Sequence, residues 1–275
     1  MFLLIETLYV FLFIETRGFQ EFFSKFEKNS ALDIHVLSYY TFYMNDLTNE
    51  KHFGAQVEEK SEIRRKFMTG VYLWMFLALV ISAVTSVAAA SSPALLANTG
   101  LFFGLLIAEL VLVFVLSLAI NRLSAGAAAA IFLVYSVLNG ITLAPLLLVY
   151  AQATVAKAFF TASGMFLAMS LFGMVTKKDL STLGRVLFMA LIGLIIASVI
   201  NLFAGSTMMD WLISLAGVAV FAGLTAYDTQ KLNQIGARAE ENETYKKLAI
   251  IGALSLYLDF VNIFIYLLRL FGNRD

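Results

Sequence analysis

The chain has 275 residues, of which 60% are hydrophobic and only 14% charged, with 19 basic and 19 acidic side chains and no cysteine. A soluble domain carries about 25% charge, so this is the composition of an integral membrane protein. The balanced charge excludes a nucleic-acid partner, which needs a basic surplus, and the missing cysteines exclude disulfides, thiolate metal sites and cysteine nucleophiles.

The first stretch, Met1 to Ile14, is apolar apart from Glu6. It lacks the basic start and small-residue cleavage site of a signal peptide, and it is too short to span a bilayer unaided. Two readings stand for residues 1–43: an interfacial helix, or an over-extended start with Met44 as the true beginning, since Asn45 to Lys66 reads as an ordinary polar leader. The predicted division is a leader over 1–60 and a transmembrane domain over 61–275.

Runs of about 20 apolar residues, the length that crosses a bilayer as helix, follow at Phe67 to Ala90, Gly100 to Ile120, Ala125 to Tyr150, Val155 to Val175, Val186 to Phe203, Trp211 to Leu232 and Leu248 to Phe271. The connections are short and polar except the last, Asn233 to Lys247, which reads as a long charged loop. The expected fold is an all-α bundle of seven transmembrane helices. Lys60, Arg64, Arg65, Lys66, Arg122, Lys177, Lys178, Arg185, Lys231, Arg238, Lys246 and Lys247 all fall on one side of such a bundle, so the positive-inside rule places the N-terminal flank in the cytoplasm. Lys157 is an exception on the other side. Arg269 and Arg274 also fall there, which leaves room for a final segment that re-enters without crossing, although seven crossings are favoured.

Three acids lie within the spans. Asp259 sits at the middle of the last run, Asp228 towards the end of the sixth and Glu109 near the centre of the second. An acid at bilayer depth costs roughly 2.5–3.5 kcal/mol on insertion scales and tends to mark a proton or ion pathway. At a separation of about 4 Å and an effective dielectric near 20, two carboxylates repel by about 4 kcal/mol. Asp228 and Asp259 are therefore expected to share one proton and titrate as a coupled unit, which is a mechanism for a pH-dependent gate; a static pair locking two helices is the plainer alternative. Glu109 has no cation within one or two turns, and reads first as a protonated group bonded to another helix and second as part of the ion path. Asn139, Asn201 and Asn262 read as hydrogen-bonding glue between helices, and Pro145 as a kink in the third span.

Enzyme chemistry finds little support. His35 and His52 precede the membrane region, and neither H-E-x-x-H nor a P-loop occurs. An intramembrane aspartyl protease would use two acids sharing a proton, and Tyr227-Asp228 matches one half of such a site, but Asp259 lies in Leu256-Tyr257-Leu258-Asp259, without the Gly-x-Gly-Asp of the other half. The expectation is a non-enzyme without a cofactor.

The last two spans contain Phe221-Ala222-Gly223-Leu224-Thr225-Ala226-Tyr227-Asp228-Thr229-Gln230-Lys231 and Ala253-Leu254-Ser255-Leu256-Tyr257-Leu258-Asp259-Phe260-Val261-Asn262-Ile263-Phe264. With Asn139-Gly140-Ile141-Thr142-Leu143-Ala144-Pro145 and Lys177-Lys178-Asp179-Leu180-Ser181, they closely resemble the signature of the Bax inhibitor-1 (transmembrane Bax inhibitor motif) family over roughly Arg64 to Gly272. The resemblance implies a bacterial inner-membrane bundle whose last helix is central. It also implies a pH-sensitive calcium leak, with Asp228 and Asp259 as the proton sensor and transient Ca²⁺ ligands, and Glu109 along the pore. Bacterial relatives carry an arginine near the cytoplasmic end of the second helix that latches onto the first aspartate; here that place holds Ile120, and Arg122, two residues on, is the candidate latch. The expected partners are the bilayer, Ca²⁺ and protons, with Ca²⁺ as transported ion and carboxylates suited to so hard a cation. The rival function is a membrane-embedded regulator that docks on a membrane protease or another membrane complex.

Overall fold

The computed structural model describes residues 49–92, 96, 98–238 and 242–272, so the two readings of residues 1–43 lie outside the described residues. Among the described residues there is no strand. The helices are α1 (Asn49–Ala90), α2 (Thr99–Ala119), α3 (Ala125–Val149), α4 (Gln152–Val175), α5 (Ser181–Ala204), α6 (Thr207–Arg238) and α7 (Glu243–Phe271). All seven are long and apolar enough to cross a membrane.

Local chemistry sets many of the ends. Asn98, Ser124 and Asn242 accept the backbone N–H groups of Leu101, Ala127 and Tyr245 at 3.1, 3.2 and 3.0 Å, each satisfying one orphan donor of a first helical turn. The close of α5 depends on Gly205 at φ 61°, a left-handed cap whose N–H reaches the Asn201 carbonyl. The Asn201 side chain then accepts from Ser206 N at 3.1 Å; it shapes this turn and does not glue two helices. α3 runs through Pro145 without breaking.

The division expected near residue 60 falls within α1, which is described from Asn49 for 42 residues, about 63 Å at 1.5 Å per residue, and of which Glu58–Ala90 is the stretch apolar enough to cross a membrane. One expected loop changes. The charged loop expected over Asn233 to Lys247 is mostly helix, since α6 continues to Arg238 and α7 resumes at Glu243. Hydropathy detects oil, whereas helical hydrogen bonding persists into water; Arg238 in the last turn of α6 and Glu243 in the first turn of α7 also complement the helix dipoles.

α7 is the axis of the bundle. It packs against α1, α3, α4 and α6, while α2 lies chiefly on α3 and α5 chiefly on α6. Nearly every residue of α7 from Leu248 to Leu268 is buried, whereas α5 buries only Gly184, Leu191 and Leu194. Lipid is as apolar as leucine, so close approach has to come from small residues at the crossings. Gly173 of α4 lies directly on the Ala226 backbone of α6, and Gly140 of α3 on Ser82 of α1; a methyl group at either glycine would overlap main-chain atoms.

The end of α7 resolves the question of re-entry. Arg269 pairs with Asp210, in the first turn of α6, at 3.0 Å, and the Lys157 ammonium, near the start of α4, lies 4.4 Å from the Phe271 ring centre. The last helix therefore traverses the bundle antiparallel to α6. Of the cations that fall against the rule on this side, Arg269 and Lys157 each have a local partner, and Arg274 lies outside the described residues.

Candidate ion-pathway site

Ser255, Asp259, Asn262 and Tyr266 recur on α7 at i, i+4, i+7 and i+11, which is one face of a helix. On α6 the residues Asp228, Thr225, Phe221 and Gly217 recur at matching intervals in the opposite direction. The two faces meet head to tail. Ser255 Oγ donates a short hydrogen bond to Asp228 Oδ2, and the Thr225 hydroxyl lies beside the Asp259 carboxyl. The Tyr266 ring covers Gly217, where a Cβ would come within 2.6 Å of it, and lies 5.9 Å from the Phe221 ring. Beyond Tyr266, the Asp210–Arg269 ion pair closes the seam.

The seam brings Asp228 and Asp259 within each other's electrostatic field, both deeply buried, at 7% and 1% exposure. It does not join them by a hydrogen bond, so a proton held directly between the two carboxyls is not the arrangement found. Asp228 takes the hydroxyl of Ser255, across the seam. The Thr225 hydroxyl commits its single proton to the Phe221 carbonyl at 2.8 Å, which leaves only its oxygen lone pairs for Asp259. Among the described residues no hydrogen-bond partner reaches Asp259 Oδ2. Lys231, one turn along α6 and 5.7 Å from the Tyr227 ring centre, lies within the electrostatic field of Asp228. Arg122, the candidate latch, is exposed in the turn after α2 and makes no ion pair with Asp228; Ile120 is fully buried.

Glu109 belongs to a second polar cluster. Fully buried on α2, it accepts Thr142 Oγ1 at 2.7 Å and Asn139 Nδ2 at 3.3 Å, both from α3. Asn139 Oδ1 in turn accepts the Tyr257 hydroxyl at 2.7 Å, and that hydroxyl lies 2.7 Å from Ser82 Oγ of α1. Four helices are thereby tied together. Tyr257 precedes Asp259 by two residues, about 200° around the helix, so this cluster and the two aspartates occupy opposite faces of α7. Asn139 is glue between helices as expected; Asn262 is not, because its amide donates to Leu258 O of its own helix at 2.9 Å.

The loop Lys177 to Ser181 is fixed by Gln230, two residues past Asp228. Its Oε1 accepts Leu180 N at 2.9 Å and its Nε2 donates to Lys178 O at 2.8 Å. In the same loop Asp179 Oδ1 accepts both the hydroxyl and the N–H of Ser181, and these bonds hold its carboxyl below the ordinary value.

Ser255 and Thr225 were overlooked in the sequence although each had a signal, standing one turn from an intramembrane aspartate. Ser82 and Tyr257 had none, because the 175 residues between them hide their meeting.

The family model described as inhibitor of apoptosis-promoting Bax1 matches residues 64–275. The Escherichia coli inner membrane protein YbhL is 47% identical over 214 residues, covering 76% of this chain and 92% of its own. A protein of Deinococcus radiodurans is 43% identical over 212 residues, covering 77% and 92%, and one of Borreliella burgdorferi 38% over 236 residues, covering 84% and 99%. With the family signature on the seam between α6 and α7 and the match running the length of the bundle, the chain belongs to the Bax inhibitor-1 family.

Proposed function

We propose that this protein is a passive Ca²⁺ leak of a bacterial inner membrane, biased between two states by protonation of Asp228 and Asp259. The observation that carries the reading is the meeting of two buried carboxyls on adjacent helices, within each other's field, with Asp228 bonded to the Ser255 hydroxyl and not to Asp259. Two like charges so placed in oil are costly together. Gain or loss of a proton alters the force between α6 and α7 and also the ligand charge offered to a cation. Small, bistable changes at such a packed seam are how local titration becomes gating. The inner-membrane location follows that of YbhL, and the cytoplasmic N-terminal flank follows the lysine and arginine asymmetry. No catalytic step and no cofactor are proposed.

The test is Ca²⁺ flux from the purified full chain in liposomes across a pH series. Asp228→Asn and Asp259→Asn should each lose most of the pH response. An unchanged profile in both variants would overturn the reading.

A further inference from the structure

The two stripes that carry the aspartates run on past them, to the end of the bundle away from the α6–α7 turn. On α6 the recurrence Asp228, Thr225, Phe221, Gly217 continues through Ser214 to Asp210, and on α7 that of Ser255, Asp259, Asn262, Tyr266 continues to Arg269. The Asp210–Arg269 pair, 3.0 Å apart with side chains only 16% and 19% exposed, is therefore the last rung of the same seam and not an incidental surface contact. Behind it come Ser214, fully buried, and the Tyr266 ring over Gly217. Deeper still, no hydrogen-bond donor reaches Asp259 Oδ2 or Asn262 Oδ1 among the described residues. Buried acceptors are stabilised once water can reach them, so an opened seam regains hydrogen bonds that the closed packing forgoes.

Three neighbours hold the last turn of α7 at this end. Asp210 at the start of α6 pairs with Arg269, the Lys157 ammonium of α4 stands 4.4 Å from the Phe271 ring centre, and the Tyr150 ring at the end of α3 is seated on Gly272. The ion pair is also able to part. Asp210 lies in the first turn of α6 and Arg269 in the last turn of α7, so each charge stands at the helix end whose dipole favours it, with or without the other. We propose that the Asp210–Arg269 pair is a gate at this end of the seam, closed in this structure, whose parting lets water and a hydrated cation pass between α6 and α7 towards Asp259. The orientation proposed above makes this the periplasmic end. The gate rests on the leak reading for its cargo, and it is a closure separate from the protonation of the two aspartates.

The experiment reads access to the seam separately from flux. Because the chain has no cysteine, Ser214→Cys places a single thiol one turn inside the pair. The full chain carrying it is reconstituted in liposomes and treated with a membrane-impermeant methanethiosulfonate reagent, and labelling is followed by mass. Thr207→Cys, exposed at the start of α6, gives the fraction of molecules that present this end to the reagent. The Ser214→Cys thiol should react far more slowly than the Thr207→Cys thiol while the pair is intact. Asp210→Asn and Arg269→Gln, each added to Ser214→Cys, should speed labelling about tenfold, as expected for loss of a mostly buried ion pair. Arg269→Lys keeps the charge and should stay within about threefold of the parent. Without the added thiol, Asp210→Asn and Arg269→Gln should also raise Ca²⁺ flux several-fold at the pH where the parent conducts least. A single size-exclusion peak and unchanged Thr207→Cys labelling identify folded variants. Equal reactivity of the two thiols in the parent, unchanged labelling in folded variants, or equal acceleration by Arg269→Lys and Arg269→Gln would each overturn the gate. Faster labelling without a rise in flux from a conducting parent would overturn it too, leaving the pair as a brace for the helix end. Faster labelling with no Ca²⁺ flux from any protein, parent included, would keep the gate and sink the leak reading instead.

Discussion

Replacing Glu109 by glutamine or by leucine separates its hydrogen bonding from its volume. The carboxyl receives Thr142 Oγ1 at 2.7 Å and Asn139 Nδ2 at 3.3 Å. In Glu109→Gln the new amide oxygen can face Asn139 Nδ2 and the new NH₂ can face Thr142, because the Thr142 hydroxyl has an alternative acceptor in the Asn139 carbonyl at 3.0 Å. Every group remains paired, and the change should stay within about 0.5 kcal/mol of the parent. Glu109→Leu offers no acceptor: Thr142 still turns to Asn139 O, but Asn139 Nδ2 is orphaned inside the bundle. One buried donor left unmade costs about 1–3 kcal/mol, and interhelical bonds in membrane proteins lie nearer the low end, so a loss of about 1–2 kcal/mol is expected. Equilibrium unfolding in mixed micelles reads both values. If glutamine and leucine destabilise equally, the cluster contributes volume alone and the bonding account of Glu109 is wrong.

Gly173→Ala should cost about 1–3 kcal/mol, because its methyl group meets the Ala226 carbonyl and forces α4 away from α6. On the same helix Gly164→Ala meets nothing within 4 Å and should be neutral or slightly stabilising in the same thermal melts; equal losses at the two sites would refute the close-contact account. Arg269→Gln should loosen the end of α7, costing about 1–2 kcal/mol for a half-buried pair, with part of the loss recovered on adding Asp210→Asn. Hydrogen exchange confined to residues 265–271 would report it, and unchanged protection would count against the ion pair as a closure. Asp179 makes a pH prediction outside the bilayer. Its carboxyl titrates below the ordinary 3.8, so its hold on the start of α5 is complete above that value and is lost as pH falls through the lower folded value. Amide protection at Ser181 should follow that acid titration in the parent and be absent at every pH in Asp179→Ala; a Ser181 signal flat with pH in the parent would contradict it.

Much of this architecture was legible before any coordinates. A helix in oil must satisfy its own backbone, so a run of about 20 apolar residues is a local and sufficient signal, and every expected span overlaps an observed helix. The acids were conspicuous for the same reason, since charge at that depth is exceptional. Where oil ended the signal ended too. The helical extensions of α1, α6 and α7 were read as leader and loop, because polar residues form helix in water without changing the hydropathy pattern.

What the sequence determined by itself, then, was the number of crossings, the positions of Asp228, Asp259 and Glu109, and the family to which their motifs point. Only the tertiary structure decided how these were partnered. It turned Ser255 and Thr225 towards the aspartates, moved Glu109 into a separate cluster behind α7, left Arg122 in the open, and turned the Asn262 amide onto the Leu258 carbonyl of its own helix. The reason is one of range. Spans follow from contacts three or four residues apart, whereas each of these partnerships depends on the rotation of one helix against another, set by packing across 27 to 175 residues of chain.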